Sequence, residues 1–214
     1  MSRRREPAEV TDAKRLRIER AAAALFSDSG YLDVSMDAIA AKACISKGAL
    51  YYYFEKKSDV LFAILARSMD ALMDGLEADL SALPPGRERL RRIVRRQLSY
   101  YSAHLAEVRT LLNDRHCLDR AQLRAILAKQ QAYFDIVRRA VDEAIGRADG
   151  PRAKVGASTP LTFALFGMCN WIPGWFRPGG AIGIDELIDM TTELYLNGLG
   201  HFARGRTGQG STPA

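Results

Sequence analysis

SMDAIAAKACISKGALYYYFEKK, residues 35–57, holds two short helical patterns with a tight turn between them. Ser35 is placed to cap the first helix, whose apolar stripe is Ile39, Ala40 and Ala43. Ser46 is placed to cap the second, where Leu50 and Phe54 lie four apart on one face. Tyr51, Tyr52 and Tyr53 are consecutive and fan over most of a helix circumference, so all three cannot be core. Some of their hydroxyls point outward beside Lys47, Lys56 and Lys57. A short helix with phenols and ammonium groups on its outer face suits the DNA major groove and the phosphates flanking it. The pattern is that of a helix-turn-helix.

Outward from this motif the chain reads as helix after helix. One helix is expected over 11–29, with Leu16, Ala23, Ala24 and Phe26 inward and Gly30 as its stop. After the motif, apolar spacing through Leu61, Ile64, Leu65, Met69, Leu72 and Leu76 predicts one long helix over 58–80. Pro84, Pro85 and Gly86 break the chain. Further helices are expected over 87–104, 106–117, 120–147, 160–176 and 185–203. Loops are expected at 152–158 and 177–183, and a flexible tail at 205–214. Pro160 suits a first helical turn, and Pro173 with Gly174 should kink its helix or open its hydrogen-bond ladder. Period-two alternation is almost absent, so the fold class is all-α with about nine helices.

The chain has 214 residues, enough for one or two domains and a sizeable core, and a formal net charge of +6. Residues 1–60 carry 11 Lys/Arg and 9 Asp/Glu, whereas residues 86–147 carry 14 and 7. The local pattern, not the bulk charge, therefore points to DNA. Cys44, Cys117 and Cys169 lie far apart without metal-ligand spacing, which reads as buried thiols in a reducing cytoplasm. No cofactor and no metal site is expected. MSRRREPAEV at the start lacks an apolar run, and no segment is long enough to cross a bilayer. Neither a signal peptide nor a membrane partner is expected. His104, His116 and His201 have no nucleophile or ligand partner at a diagnostic spacing, so an enzyme is not expected.

Gly30-Tyr31, the stretch Ser35 to Ala43, and SKGALYYYF followed by Lys57 closely resemble the N-terminal domain of the TetR family of one-component repressors. The resemblance implies a DNA surface made by Lys47, Gly48, Ala49, Tyr51, Tyr52, Tyr53 and Lys57, over a three-helix core packed by Leu50 and Phe54. Ser35 and Ser46, at the two helix starts, belong to the same candidate surface. Tyr52 and Lys57 are expected to lead the phosphate contacts and Lys47 to read a base. Tyr51 is either at the DNA or half-buried packing. Lys14 and Arg17 are expected at phosphates. Arg3, Arg4 and Arg5 are either a phosphate or minor-groove arm or a solubilising tail. Two positions depart from the family. Cys44 stands where glycine is usual and must accept the turn's geometry with a Cβ. Ala49 stands where threonine or serine is usual and offers a thymine methyl a methyl instead.

One recognition helix touches few base pairs, so a homodimer on double-stranded operator DNA is expected. Leu187, Met190, Thr191, Leu194, Tyr195 and Gly198 are candidates for the dimer interface, the alternative being packing inside one subunit. Resemblance to TetR proteins, whose last two long helices build a four-helix interface, implies the first. FALFGMCNWIPGWFRPGG, residues 163–180, holds both tryptophans. Its NW…WF-RPGG run resembles the C-terminal domain of a TetR subgroup that senses acyl-CoA thioesters, although Pro173 is not usual there. Candidate pocket residues are Arg109, Leu112, Asn113, Phe134, Phe163, Phe166, Asn170, Trp171 and Trp175. Trp171, Trp175 and Phe176 are alternatively dimer anchors. Arg87, Arg89, Arg91, Arg92, Arg95 and Arg96 either form a solvated face or meet the phosphates of a nucleotide-bearing ligand.

The expected division is a DNA-binding domain over 1–57, a ligand-binding and dimerisation domain over 58–204, and the tail. The expected function is a ligand-responsive DNA-binding regulator, most simply a repressor released by a small hydrophobic or amphiphilic effector such as an acyl-CoA. Control of an efflux or detoxification gene by another hydrophobic ligand is one alternative. A helical adaptor without DNA binding is another, but an adaptor has no need of the phenols and lysines between Tyr51 and Lys57.

Overall fold

The computed structural model describes residues 8–145 and 158–204. The expectations for Arg3 to Arg5, for 152–157 and for 205–214 lie outside these residues. Within them the chain is all-α, as ten α-helices and one 3-10 turn. These are α1 (Ala8–Ser29), α2 (Met36–Lys42), α3 (Lys47–Tyr53), α4 (Lys57–Met73), α5 (Leu76–Ser81), α6 (Arg87–Ala103), α7 (Leu105–Asn113), the 3-10 turn (Arg115–Cys117), α8 (Arg120–Ala144), α9 (Ser158–Trp175) and α10 (Ile184–Arg204). They divide between two compact units. The first takes the residues through Ala71 together with His104–Lys129; the second takes Leu72–Ala103 and the residues from Gln130 onward.

In the first unit α1 packs on α2 and α7. Ile18, Ala22 and Phe26 of α1, Ile39 of α2, Leu50 of α3, Leu61, Ile64 and Leu65 of α4, and Val108 of α7 are fully buried. Each large side chain so removed from water contributes about 1.5–3 kcal/mol. That burial is needed, because helices as short as α2 and α3 do not persist in water alone. Buried Glu19 on α1 is not left as a lone charge: Arg67 of α4 donates to its two oxygens at 2.5 and 3.2 Å.

The turn between α2 and α3 closes as a Schellman motif. The Ile45 N–H reaches the Ala40 carbonyl at 3.0 Å and the Cys44 N–H reaches Ala41 at 3.1 Å. Cys44 sits at φ 53°, the one non-glycine residue with positive φ among those described. A Cβ in this left-handed region is strained, and the thiol is exposed rather than buried as the sequence suggested. Cys44→Gly should therefore stabilise the fold by about 1 kcal/mol, net of the greater unfolded-state freedom of glycine. A higher urea midpoint at unchanged slope checks this.

Two helix expectations are corrected. The single helix over 58–80 is two, because Gly75 turns left-handed at φ 67° between α4 and α5. Glycine enters that region without a Cβ clash, so it ends a helix that its apolar neighbours would continue. The helix expected over 106–117 stops at Asn113. The Cys117 N–H then reaches the Asp114 carbonyl at 2.8 Å, a three-residue spacing that tightens the last turn. In the second unit α9 runs through Pro173 to Trp175, and the ring removes one donor from the ladder without ending the helix. α6 packs on α9 and α10 there, around Leu90, Ile93, Leu98, Leu165, Cys169, Ile188 and Leu196.

Candidate nucleic-acid interface

α3 is positioned from both ends and from behind. The Ser46 hydroxyl accepts the Ala49 N–H at 3.1 Å, as Ser35 accepts that of Ala38 at the start of α2. At the other end Arg15 donates to the Tyr53 carbonyl at 3.1 Å and lies 4.4 Å from the Phe54 ring centroid. Arg15 is thus a C-terminal cap of α3. Leu50 and Phe54 are buried, and the opposite face is left to solvent. That face shows Lys47, Gly48, part of Ala49, Tyr51 at 45% exposure and Tyr52 at 68%. Tyr53 is half-buried, its ring edge-on to Tyr52 at 5.1 Å. A Cβ on Gly48 would meet nothing within 4 Å, so the surface there is open to a close approach.

Lys57 departs from its expected role. Its ammonium donates to the carbonyls of Tyr31, Leu32 and Val34 at 2.7, 3.3 and 2.7 Å, and it lies 4.3 Å from the Tyr31 ring centroid. An ammonium has three N–H donors, and here they satisfy the carbonyls of the α1–α2 turn. Neighbouring Lys56 is exposed and pairs with Asp119 at 2.9 Å. Arg17 is exposed and Lys14 half-buried on α1, where both line a shallow cleft of about 440 Å³ with Val10 and Ala13. Sequence reasoning passed over Asp37, whose carboxylate holds Lys47 at 2.9 and 3.0 Å. Its one signal was an acid in the first turn of α2, which also reads as an ordinary helix-start residue.

A family model described as "Bacterial regulatory proteins, tetR family" matches residues 18–64, and one described as "Tetracyclin repressor-like, C-terminal domain" matches residues 84–199. The chain belongs to the TetR family. It is a DNA-binding transcriptional regulator, and the family is one of regulators rather than enzymes. It is 27% identical over 194 residues to the transcriptional activator FasR of Mycolicibacterium smegmatis, covering 89% of this chain and 84% of FasR. It is 28% identical over 188 residues to the transcriptional repressor KstR of Rhodococcus jostii, covering 86% and 82%. A crystal structure of AibR in complex with isovaleryl coenzyme A and operator DNA superposes with a TM-score of 0.73 at 26% identity, covering 85% of this chain and 97% of that one.

The candidate pocket residues of this TetR-family chain are divided between the two units. In the second unit Phe134 lies 4.9 Å from Phe163 and 6.0 Å from Phe166, ring centre to ring centre, with Tyr133 5.7 Å from Phe166. Asn170 joins a buried polar network. Its carbonyl accepts from Tyr101 at 2.8 Å and Gln97 at 3.3 Å, and Tyr133 donates to Gln97 at 3.1 Å. Burial pushes the Tyr101 and Tyr133 hydroxyls well above the usual phenol range and the Cys169 thiol up to about 12. All three are therefore neutral near neutral pH. Arg109, Leu112 and Asn113 lie on α7 in the first unit, the first two half-buried and Asn113 exposed. Trp171 and Trp175 do not line an interior: they are 74% and 46% exposed.

The six arginines of α6 are each engaged within the second unit. Arg87 donates to the Leu196 carbonyl, Arg89 pairs with Glu143, Arg91 with Glu193, and Arg92 with Asp79. Arg95 takes Asp185 and Asp189, and Arg96 takes the carbonyls of Leu72 and Asp74. They are fasteners between helices rather than a vacant phosphate cradle. On α10 the expected pairing band splits in two. Leu187, Thr191 and Tyr195 are buried in their own unit, Tyr195 donating to the Leu161 carbonyl at 2.9 Å. Met190, Leu194 and Gly198 face outward. Among the described residues no helix is long and apolar enough to cross a membrane.

Proposed function

We propose that this regulator is a homodimeric repressor that grips operator DNA with two α3 helices and is released by an amphiphilic effector of the acyl-CoA class. The observation that carries the DNA part is the outer face of α3, with Lys47, Tyr51 and Tyr52 exposed over buried Leu50 and Phe54. In this reading residues 1–57 are the DNA-binding domain and 58–204 the ligand-binding and dimerisation domain, working in the cytoplasm. Gly48 and Ala49 admit the base edges, and Tyr52 leads the phosphate contacts with Arg17. The similarity to AibR, solved with isovaleryl coenzyme A, supports the thioester class. So does the stacked pair Phe134 and Phe166, with polar Asn170 one turn beyond Phe166 on α9, which sets apolar rings near a hydrogen-bonding group. KstR supports repression as the sign.

Fluorescence anisotropy on the promoter duplex of its own gene, across a salt series and then across thioesters from isovaleryl-CoA upward, tests both parts. Affinity should fall linearly with salt on logarithmic axes. A matching thioester should weaken binding roughly 5- to 150-fold, the usual size of coupling between sites. No response to any thioester removes the effector class and leaves the DNA part standing.

A further inference from the structure

The pair Asp37–Lys47 is the feature that stability does not explain. Lys47 opens α3 and is the one charged side chain in KGALYYY; the side chains of Gly48 and Ala49 offer no hydrogen-bonding group. Asp37 lies in the first turn of α2, and both its oxygens are within 3.0 Å of the Lys47 ammonium. The side chains are 64% and 61% exposed, a setting in which an ion pair adds little to stability. A carboxylate on the face that meets DNA also opposes the phosphates, so it lowers general affinity for nucleic acid.

We infer that Asp37 is a specificity-determining residue of the operator complex, holding the Lys47 ammonium over base edges so that it reads guanine. This rests on α3 being the recognition helix. The first residues of such a helix meet base edges in the major groove. A lysine there is ordinarily a mobile point charge that settles on any phosphate in reach. Held by Asp37, it keeps one N–H on the carboxylate and has two for guanine O6 and N7. On a wrong base it must leave Asp37 to find a phosphate, and the carboxylate is then left facing the backbone. The arrangement gains discrimination by penalising wrong sites. Tyr51, one turn further along α3, is the other group that acts on Lys47, and it adds no opposing positive charge.

The test selects duplexes from a randomised pool with the wild-type chain, Asp37→Asn, Asp37→Glu and Lys47→Ala, and measures each protein on the wild-type winner and on poly(dI-dC). The wild type should enrich guanine at one position of each half-site. Asp37→Asn should lower that enrichment roughly tenfold while tightening binding to poly(dI-dC). Lys47→Ala should lose guanine at the same position, and Asp37→Glu should restore most of it. Unchanged melting temperatures confirm that the fold is intact. An Asp37→Asn profile equal to wild type, or an effect at a different position from Lys47→Ala, overturns the inference while leaving α3 as the reader. Recovery of no duplex by the wild type overturns both.

Discussion

Leu50→Ala should destabilise the first unit by about 2–5 kcal/mol and abolish duplex binding, although Leu50 itself cannot touch DNA. Leu50 is fully buried at the centre of α3, and the two flanking turns are held by a serine cap and by Arg15. A seven-residue helix has no stability of its own to fall back on, so the outward array of Lys47, Tyr51 and Tyr52 exists only while Leu50 is seated. Truncation leaves a cavity that a close-packed core has little freedom to fill. Urea unfolding followed by far-ultraviolet dichroism reads the stability, and anisotropy on the same sample reads the binding. Tyr52→Phe is the matching control, since Tyr52 is 68% exposed: it should weaken binding with the unfolding midpoint unchanged. If Leu50→Ala binds as wild type, the phenols and the lysine are not presented by α3.

The reading head was legible in the sequence because its determinants are local. Ser35 and Ser46 cap the helices they precede, Leu50 and Phe54 bury at their four-residue spacing, and Cys44 takes the left-handed turn conformation. The errors arose where a long-range partner decides a side chain's role. Lys57 reads as a surface cation until three turn carbonyls more than 20 residues away in sequence converge on it. The arginines of α6 read as a free cationic face until carboxylates from other helices meet them. Asp37 was overlooked for the same reason, since its partner lies ten residues away across the turn. Gly75 is the exception. Its signal was local, but the apolar period through Leu72 and Leu76 outweighed it.

Leu194→Glu should convert the regulator from dimer to monomer and lower its affinity for a full operator by a hundredfold or more. Periodicity alone gave α10 one broad apolar band, but burial assigns its two sides different work. Leu187, Thr191 and Tyr195 complete the second unit's own core, whereas Leu194 is 69% and Met190 56% exposed one turn apart. Gly198, a further turn on, is exposed with nothing within 4 Å of a would-be Cβ. α9 shows a comparable strip, with Phe163 62% and Trp171 74% exposed, eight residues apart on one face. Large apolar groups repeated along helices in this way mark a surface meant to be covered. A second copy is the cover that a two-headed operator complex requires. A glutamate at position 194 harms little in the monomer, where the site is wet, but would be an unpaired charge in a closed interface. Joining two heads multiplies affinity by roughly 10²–10⁴ through effective concentration, and that factor is what the monomer should lose. Light scattering after gel filtration reads the mass and anisotropy reads the affinity. A variant that stays dimeric with wild-type affinity would move the pairing surface off the outer face of α10.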